Sequence, residues 1–276
     1  METKYLPDSV RYPHLTPAEL RAAFLIDNLF QPGSIRLVYT DLDRAVIGGI
    51  VPTTQKLALT ASKELASSYF AERREIGVIN LGGNGSIMVD GKAFSLSKRD
   101  CLYIGRGSKQ IEFSSAKSNE PAWFYLVSYP AHATHPTRLA TAAEATAVDL
   151  GTQRDANQRT IRKYIHTGGI QSCQLVMGFT ELKEGSVWNT MPPHTHARRT
   201  EIYLYFDVAP DAAVFHFMGG ASETRNLVVR NGEAVLSPPW SMHCGAGTRN
   251  YCFVWAMGGE NQEFADMDQI TVDALK

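Results

Sequence analysis

Short runs of β-branched and aromatic residues, separated by turn-forming residues roughly every ten positions, dominate this sequence of 276 residues. The segments 82–85 and 90–91 contain the Gly, Asn and Asp residues that hairpin turns favour. Many short strands joined by tight turns are typical of sandwiches and barrels, so we predict an all-β fold. The predicted strands span residues 35–39, 46–51, 77–81, 86–89, 100–104, 110–113, 122–129, 161–165, 173–181, 201–206, 214–218, 227–230, 233–237 and 251–257.

One helix is predicted near the N-terminus. Thr16 is suited to the N-cap, Pro17 to the first helical position, and Glu19 can complete a capping box. Apolar residues then recur at helical spacing as far as Phe30, and the Pro-Gly pair at 32–33 ends the element. The sequence therefore predicts a short helical segment ahead of the strands.

Two features divide the chain. Residues 131–150 are rich in Ala, Thr, Pro and His, a change of composition typical of a linker. The basic-acidic segment at 73–75 and the similar one at 198–201 are each followed by strands and a Gly-containing turn, a weak internal repeat. We predict a duplicated barrel, divided into a helical extension (1–33), an N-terminal barrel (34–130), a linker (131–150) and a C-terminal barrel (151–276).

Charge and composition exclude several classes of protein. Lys and Arg number 27 against 28 Asp and Glu, with no basic stripe, which argues against a nucleic-acid partner. No run approaches the roughly 18 apolar residues of a membrane span, and the first residues lack the regions of a signal peptide. The four cysteines form no CxxC pair, which favours a reducing compartment. We expect a cytoplasmic protein without nucleic-acid or membrane partners.

Four residues of the second half form a metal-binding pattern. His194 and His196 are two apart, so both imidazoles leave the same face of an extended chain. Glu201 opens the next predicted strand, and His243 follows a strand and a Pro-containing turn that return toward the same barrel end. Imidazoles and one carboxylate are typical ligands of a divalent transition metal with open positions. The first half has no histidine at 67–72 or at 105–110, so we expect its barrel to be metal-free.

This spacing resembles the cupin superfamily, in which HxH, a short spacer and Glu precede a later histidine. Trp240 and Val208 stand where cupins usually have glycine, and both positions lie in turns. A closer resemblance is to the 5-keto-4-deoxyuronate isomerase family, and it runs nearly end to end. The segments that carry it are WNTMPPHTH at 188–196, RR at 198–199, EIYLYF at 201–206, FAERREIGVINLGG at 70–83, PAH at 130–132, QLVMGFTEL at 174–182, GENQ at 259–262 and DMD at 266–268.

The resemblance implies a bicupin, made of two jelly-roll barrels, with one zinc ion per chain in the C-terminal barrel. It also implies a homohexamer and a metal-dependent ketol isomerase of pectin (uronate) catabolism. The expected reaction interconverts 5-dehydro-4-deoxy-D-glucuronate and 3-deoxy-D-glycero-2,5-hexodiulosonate, a uronate-derived keto sugar acid.

The remaining catalytic roles stay open in the sequence. Moving a carbonyl to its neighbour needs a group that carries a proton between two carbons, and metal-bound hydroxide, Tyr203, Tyr205 and His216 are the candidates. A substrate carboxylate suits an arginine fork. The candidates for that contact are Arg162, Arg198 and Arg199.

Three alternatives share the same ligands. One is another bicupin sugar-acid isomerase, of the 5-deoxyglucuronate type. A second is an iron-dependent cupin dioxygenase, because iron with open positions reacts with oxygen whereas zinc has no redox chemistry. The third is a cupin that binds a sugar acid without converting it.

Overall fold

The computed structural model describes residues 1–276 and consists mainly of strands, with one α-helix. The first elements are β1 (Glu2–Lys4), α1 (Pro17–Phe24), β2 (Leu25–Ile26), β3 (Ser34–Thr40), β4 (Val46–Val51), β5 (Leu57–Ala58), β6 (Arg74–Asn80), β7 (Gly85–Val89), β8 (Lys92–Leu96), β9 (Cys101–Ile104), β10 (Ile111–Ser115), β11 (Phe124–Pro130) and β12 (Arg138–Ala140). The predicted all-β fold class is confirmed.

The later strands complete two further sheets. They are β13 (Thr146–Leu150), β14 (Arg159–Ile165), β15 (Val176–Leu182), β16 (Trp188–Thr195), β17 (Arg199–Phe206), β18 (Val214–Gly220), β19 (Glu223–Val229), β20 (Ala234–Ser237), β21 (Met242–Gly247), β22 (Cys252–Gly259) and β23 (Asp268–Gln269). Short 3₁₀ helices cover Tyr12–His14, Leu42–Arg44, Lys63–Leu65 and Val272–Ala274. No helix is long and apolar enough to cross a membrane.

The helix begins as predicted and ends earlier. Thr16 accepts a hydrogen bond from the Glu19 backbone, and the Glu19 side chain accepts one from the Thr16 backbone, so the capping box is present. The prediction that helical spacing continues to Phe30 is wrong, because α1 ends at Phe24. The following two residues form β2 and pair with β20 instead, which gives their backbone groups partners in a sheet.

Two compact units divide the chain. The first contains Met1–Lys4, Asn28–Ala145 and Tyr164–Val176, and the second contains Tyr5–Asp27, Thr146–Lys163 and Met177–Lys276. Because both units are discontinuous in sequence, the division at 33, 130 and 150 stays a prediction. Residues 131–150 carry two short edge strands, β12 and β13. The exposed β13 has no buried residue, and so it lacks the alternation by which a strand is predicted.

The first unit is a pair of sheets around an apolar core. One sheet has the order β1-β3-β4-β11-β6-β9-β12, and the other has the order β5-β10-β7-β8. Side chains of both sheets meet in a single buried cluster, to which β6 contributes Ile76 and Val78, β7 contributes Ile87, and β10 contributes Phe113. Strand alternation produces this core, because every second residue faces the opposite sheet.

The second unit repeats this layout. Its larger sheet has the order β13-β14-β15-β22-β17-β20-β2, and its smaller sheet has the order β19-β18-β21-β16-β23. The five strands β14-β15-β22-β17-β20 occupy the places that β3-β4-β11-β6-β9 occupy in the first unit. The shared strand order fits a duplicated barrel.

Candidate metal centre

Two facing sheets of the second unit bring four predicted ligands together. His194 on β16 lies directly opposite His243 on β21 in the smaller sheet. Glu201 lies on β17 in the larger sheet, and His196 lies just after β16. All four side chains are buried, between 1% and 8% exposed. The interior between the sheets therefore holds three imidazoles and one carboxylate.

The donor atoms of these residues converge on one point. The Nε2 atoms of His196 and His243 each lie 2.9 Å from Oε2 of Glu201. Nε2 of His194 lies 3.1 Å from Nε2 of His196 and 3.2 Å from Nε2 of His243. Ligands bound at the usual 2.0–2.2 Å from one ion lie about 3 Å apart, which is the spacing found here.

Two of the imidazoles are oriented through their other nitrogen. Nδ1 of His196 lies 2.8 Å from the backbone carbonyl of Asp266, and Nδ1 of His243 lies 3.0 Å from the Ser237 hydroxyl. A carbonyl oxygen can only accept, so it requires the His196 proton on Nδ1 and leaves the Nε2 lone pair free. Such partners fix the ring and tautomer of metal-binding histidines.

The protonation states also suit a cation. Burial lowers the pKa of His194 to about 2, so its imidazole is neutral. Burial acts to raise the pKa of Glu201, but the neighbouring His243 and His196 imidazoles outweigh it and hold that pKa well below the usual value. Neutral imidazole and ionised carboxylate are the forms that bind metals. The donor set, its spacing and its charge therefore fit a metal ion, and this buried cluster could bind one.

A bulge precedes the first histidine. Asn189 pairs with Gly245 and His194 pairs with His243, so β16 advances five residues while β21 advances two. The intervening Pro192 and Pro193 have no N–H to donate to the ladder. The extra residues bend inward instead, and Thr190, Met191 and Pro192 line a cavity beside the cluster.

The cavity has a volume of about 240 Å³ and opens next to His194, His196 and Glu201. Most of its wall is apolar. The lining residues other than those already named are Leu150, Arg159, Ile161, Thr180, Tyr203, Phe253, Trp255, Met257, Phe264, Met267 and Gln269. A mostly apolar cavity with a few polar groups is the kind of site that orients a small ligand.

The structure separates the three candidate proton carriers. Tyr203 lines the cavity, and its hydroxyl lies 3.3 Å from the Thr190 hydroxyl. Tyr205 and His216 are fully buried outside the cavity wall, and the Tyr205 hydroxyl lies 2.7 Å from Nδ1 of His216. Burial lowers the pKa of His216 to about 3. Burial, with the Glu201 charge, raises the pKa of Tyr203 well above its usual value.

None of the three candidate arginines lines the cavity. Arg198 forms ion pairs with Asp266 and Asp268. Arg199 is 1% exposed and donates from Nη2 to the Asp266 carbonyl at 2.9 Å. Both arginines therefore hold the segment that carries the His196 partner. Arg162 is half-buried on β14, on the face opposite to that of Arg159 and Ile161.

Sequence reasoning missed three residues that contact the cluster or line its cavity. Ser237 and Asp266 act through contacts that no local pattern reveals. The sequence held a signal for Arg159, because strand alternation places Arg159 and Ile161 on one face and Arg162 on the other. The β14 strand was predicted to begin at 161, and so Arg159 lay outside it.

Taken together, the fold and the cluster define a cupin-type β-barrel protein with a buried His/Glu site. The sequence profile of the KduI/IolB family matches residues 26–274. The chain therefore belongs to the KduI/IolB family.

Several known proteins are similar to the chain. A 4-deoxy-L-threo-5-hexosulose-uronate ketol-isomerase of Halalkalibacterium halodurans is 51% identical over 276 residues, covering all of both chains. A protein with the same name from Opitutus terrae is 51% identical over 277 residues, again over both full lengths. Among solved structures, an IolB-like protein of Salmonella typhimurium has a TM-score of 0.73 at 14% identity, covering 90% of this chain and 96% of the other. At that identity the likeness shows the fold alone.

Proposed function

We propose that this protein is a metal-dependent ketol isomerase that interconverts 5-dehydro-4-deoxy-D-glucuronate and 3-deoxy-D-glycero-2,5-hexodiulosonate in pectin catabolism. The observation that carries the proposal is the buried cluster of three histidines and Glu201 beside a mostly apolar cavity. Full-length relatives at about half identity bear the name of this isomerase, which supports the substrate.

We propose zinc, one ion per chain, held by His194, His196, Glu201 and His243. When bound, the metal polarises the carbonyl and adjacent hydroxyl oxygens of the substrate and stabilises the negative charge that develops on them. Zinc suits a reaction without electron transfer, because it has no redox chemistry. The choice of zinc rests on the family resemblance, since the same donor set suits other divalent metals.

The isomerisation moves one proton between neighbouring carbons and one between their oxygens. Tyr203 is the candidate of the three whose side chain lines the cavity. Its raised pKa keeps the phenol protonated, so it can donate a proton or a hydrogen bond to a substrate oxygen. The apolar wall formed by Phe253 and Trp255 keeps water from that oxygen.

Anaerobic turnover tests the proposal. Purified protein is incubated under argon with 5-dehydro-4-deoxy-D-glucuronate, and the product is followed by mass spectrometry and NMR. We expect a product of unchanged mass from the wild type and none from His243→Ala, which lacks one ligand. A gain of oxygen mass, or a requirement for oxygen and iron, supports a dioxygenase instead, and faster turnover of 5-deoxyglucuronate supports the other isomerase.

We further propose that the chain forms a homohexamer in the cytoplasm. The resemblance supports the hexamer. The apolar side chains of Val148 on β13 and Phe215 on β18 are exposed, and contact with another subunit would remove them from water. All four cysteines are free, which fits a reducing compartment. Light scattering at micromolar concentration tests the assembly, and a monomer contradicts it.

A further inference from the structure

One positively charged side chain lines the cavity beside the cluster. Arg159 lies on β14 and contributes to the wall together with Ile161. Resting on the proposed function, we propose that Arg159 binds the substrate carboxylate and selects acidic substrates. A guanidinium can hold a carboxylate through two parallel hydrogen bonds.

The guanidinium of Arg159 has bonding capacity to spare. It donates one hydrogen bond, from Nη1 to the backbone carbonyl of Asn157 at 2.9 Å, and it forms no ion pair. Burial lowers the pKa of Arg159, an effect that the nearby Tyr203 and Tyr251 oppose. An arginine remains charged in a protein under such conditions. Arg159 is half-buried, so its charge is partly removed from water without an acidic partner, and an anion in the cavity would offset that cost.

The other arginines near the site do not line the cavity. Arg198 is held by Asp266 and Asp268, and Arg199 contacts the Asp266 carbonyl and Nδ1 of His196. These contacts leave Arg159 as the cation that faces the ligand space.

The position of Arg159 suits the length of the substrate. The reacting aldehyde and the carboxylate stand at opposite ends of a six-carbon chain. When the aldehyde end lies at the metal-binding cluster, the carboxylate therefore lies at the far side of the cavity. Two strands, β15 and β22, lie between β14 and β17 in the sheet. The strands of Arg159 and Glu201 are therefore three spacings apart, about 14 Å across the sheet. The cavity spans this interval, because both residues line it.

A substrate pair and a variant pair test the proposal. Arg159→Met removes the charge, whereas Arg162→Met removes a charge from the opposite face of the same strand. Each protein is assayed with 5-dehydro-4-deoxy-D-glucuronate and with its neutral carboxamide. For Arg159→Met we expect KM for the acid to rise about 100-fold with little change in kcat, and kcat/KM for the carboxamide to stay within about twofold. Arg162→Met should match the wild type with both substrates.

Arg159→Lys keeps the charge without the fork, and it should show a smaller rise in KM, about tenfold. Metal content and the thermal midpoint are measured for every variant, so that a loss of folding is recognised. Equal losses for acid and carboxamide in Arg159→Met, or no loss for either, overturn the proposal. A loss confined to Arg162→Met also overturns it.

Calorimetric titration with the same acid separates this proposal from the proposed function. If the wild type binds the acid and converts neither substrate, the isomerase proposal fails. Weaker binding of the acid by Arg159→Met, without weaker binding of the carboxamide, then still supports Arg159. If the wild type converts the acid and Arg159→Met binds it with unchanged affinity, only the Arg159 proposal fails.

Discussion

The two units share a strand order and place opposite chemistry at corresponding positions. In the second unit Glu201 on β17 pairs with Ser237, the last residue of β20. In the first unit Ile76 on β6 pairs with Ile104, the last residue of β9. One pair belongs to the candidate metal centre, whereas the other belongs to an apolar core. The comparison shows that a few interior positions decide whether this barrel is a site or a packing unit.

The comparison also corrects the sequence repeat. The repeat aligned the segment ending in Glu75 with the one ending in Glu201. In the strand register, however, Ile76 is the residue that occupies the position of Glu201, because it pairs with the last residue of β9 as Glu201 pairs with the last residue of β20. Glu75 faces the other way and accepts hydrogen bonds from the backbone N–H groups of 173–175, at 2.7, 2.9 and 2.9 Å. A shift of one residue reverses the face of a strand, so this carboxylate serves structure and is turned away from the core of its unit.

The largest effect is expected at Glu201. Glu201→Ala removes the carboxylate of the cluster, and we expect metal affinity to fall by more than the roughly 100-fold that loss of a mere orienting partner can cost. Isomerase activity should be lost with the metal. Elemental analysis should give about one metal per wild-type chain and far less for the variant. Unchanged metal content in Glu201→Ala contradicts the assignment of this residue.

The matched change in the first unit should affect stability alone. Ile76→Ala leaves a cavity in the apolar core, and we expect the free energy of unfolding to fall by about 2–4 kcal/mol. Metal content per folded chain should equal that of the wild type. Denaturant unfolding with parallel elemental analysis checks both values, and loss of metal from this variant breaks the contrast between the units.

Acid should destabilise the second unit through His216. The pKa of this imidazole is about 3 when buried and 6.5 ordinarily. Unfolding between these values therefore takes up a proton, and stability is lost as pH falls from 6.5 toward 3. We expect His216→Gln to reduce the pH slope of the unfolding free energy by up to about 1.4 kcal/mol per pH unit. Both proteins are measured with chelator present, so that metal release adds nothing to the difference; equal slopes refute the assignment.

The smallest effect is expected at Ser237. Ser237→Ala removes the hydroxyl that contacts Nδ1 of His243 and leaves every ligand in place. We expect metal affinity to fall about tenfold, measured by competition with a chelator. The control is Ser128→Ala in the first unit, where a buried serine contacts Arg74 and the Glu75 backbone. That variant should keep the wild-type affinity, and an equal fall in both variants points to a general loss of stability.

The strands that the sequence predicted well are runs rich in β-branched or aromatic residues between turn-forming residues. Val46–Val51 was predicted at its observed bounds, and most other predicted strands overlap observed ones. The strands β16 and β21, which carry the histidines, were not predicted, because two prolines interrupt one and glycines dilute the other. Their histidines were nevertheless selected as candidate ligands, since the spacing of the motif does not depend on recognising the strands, and the structure brings them together.

Other parts of the site depend on tertiary placement. The cavity wall combines residues from β14, β15, β16, β17 and β22 with residues of 264–269. No local period links segments so distant in sequence, and therefore the positions of Arg159 in the cavity wall and of Asp266 beside His196 became visible only in three dimensions. The arginine pair at 198–199 was conspicuous in sequence, yet its side chains contact Asp266 and do not line the cavity.

The bulge in β16 allows residues of the cavity wall to change without disturbing the strand pairing that holds the histidines. Pairing is fixed on one side by Asn189 with Gly245 and on the other by His194 with His243. The residues between these anchors contribute Thr190, Met191 and Pro192 to the wall and do not set the ladder on either side. Substitutions there can reshape the space around a ligand while the histidines keep their places. Mutational libraries that seek new substrates for this barrel are best concentrated in that stretch.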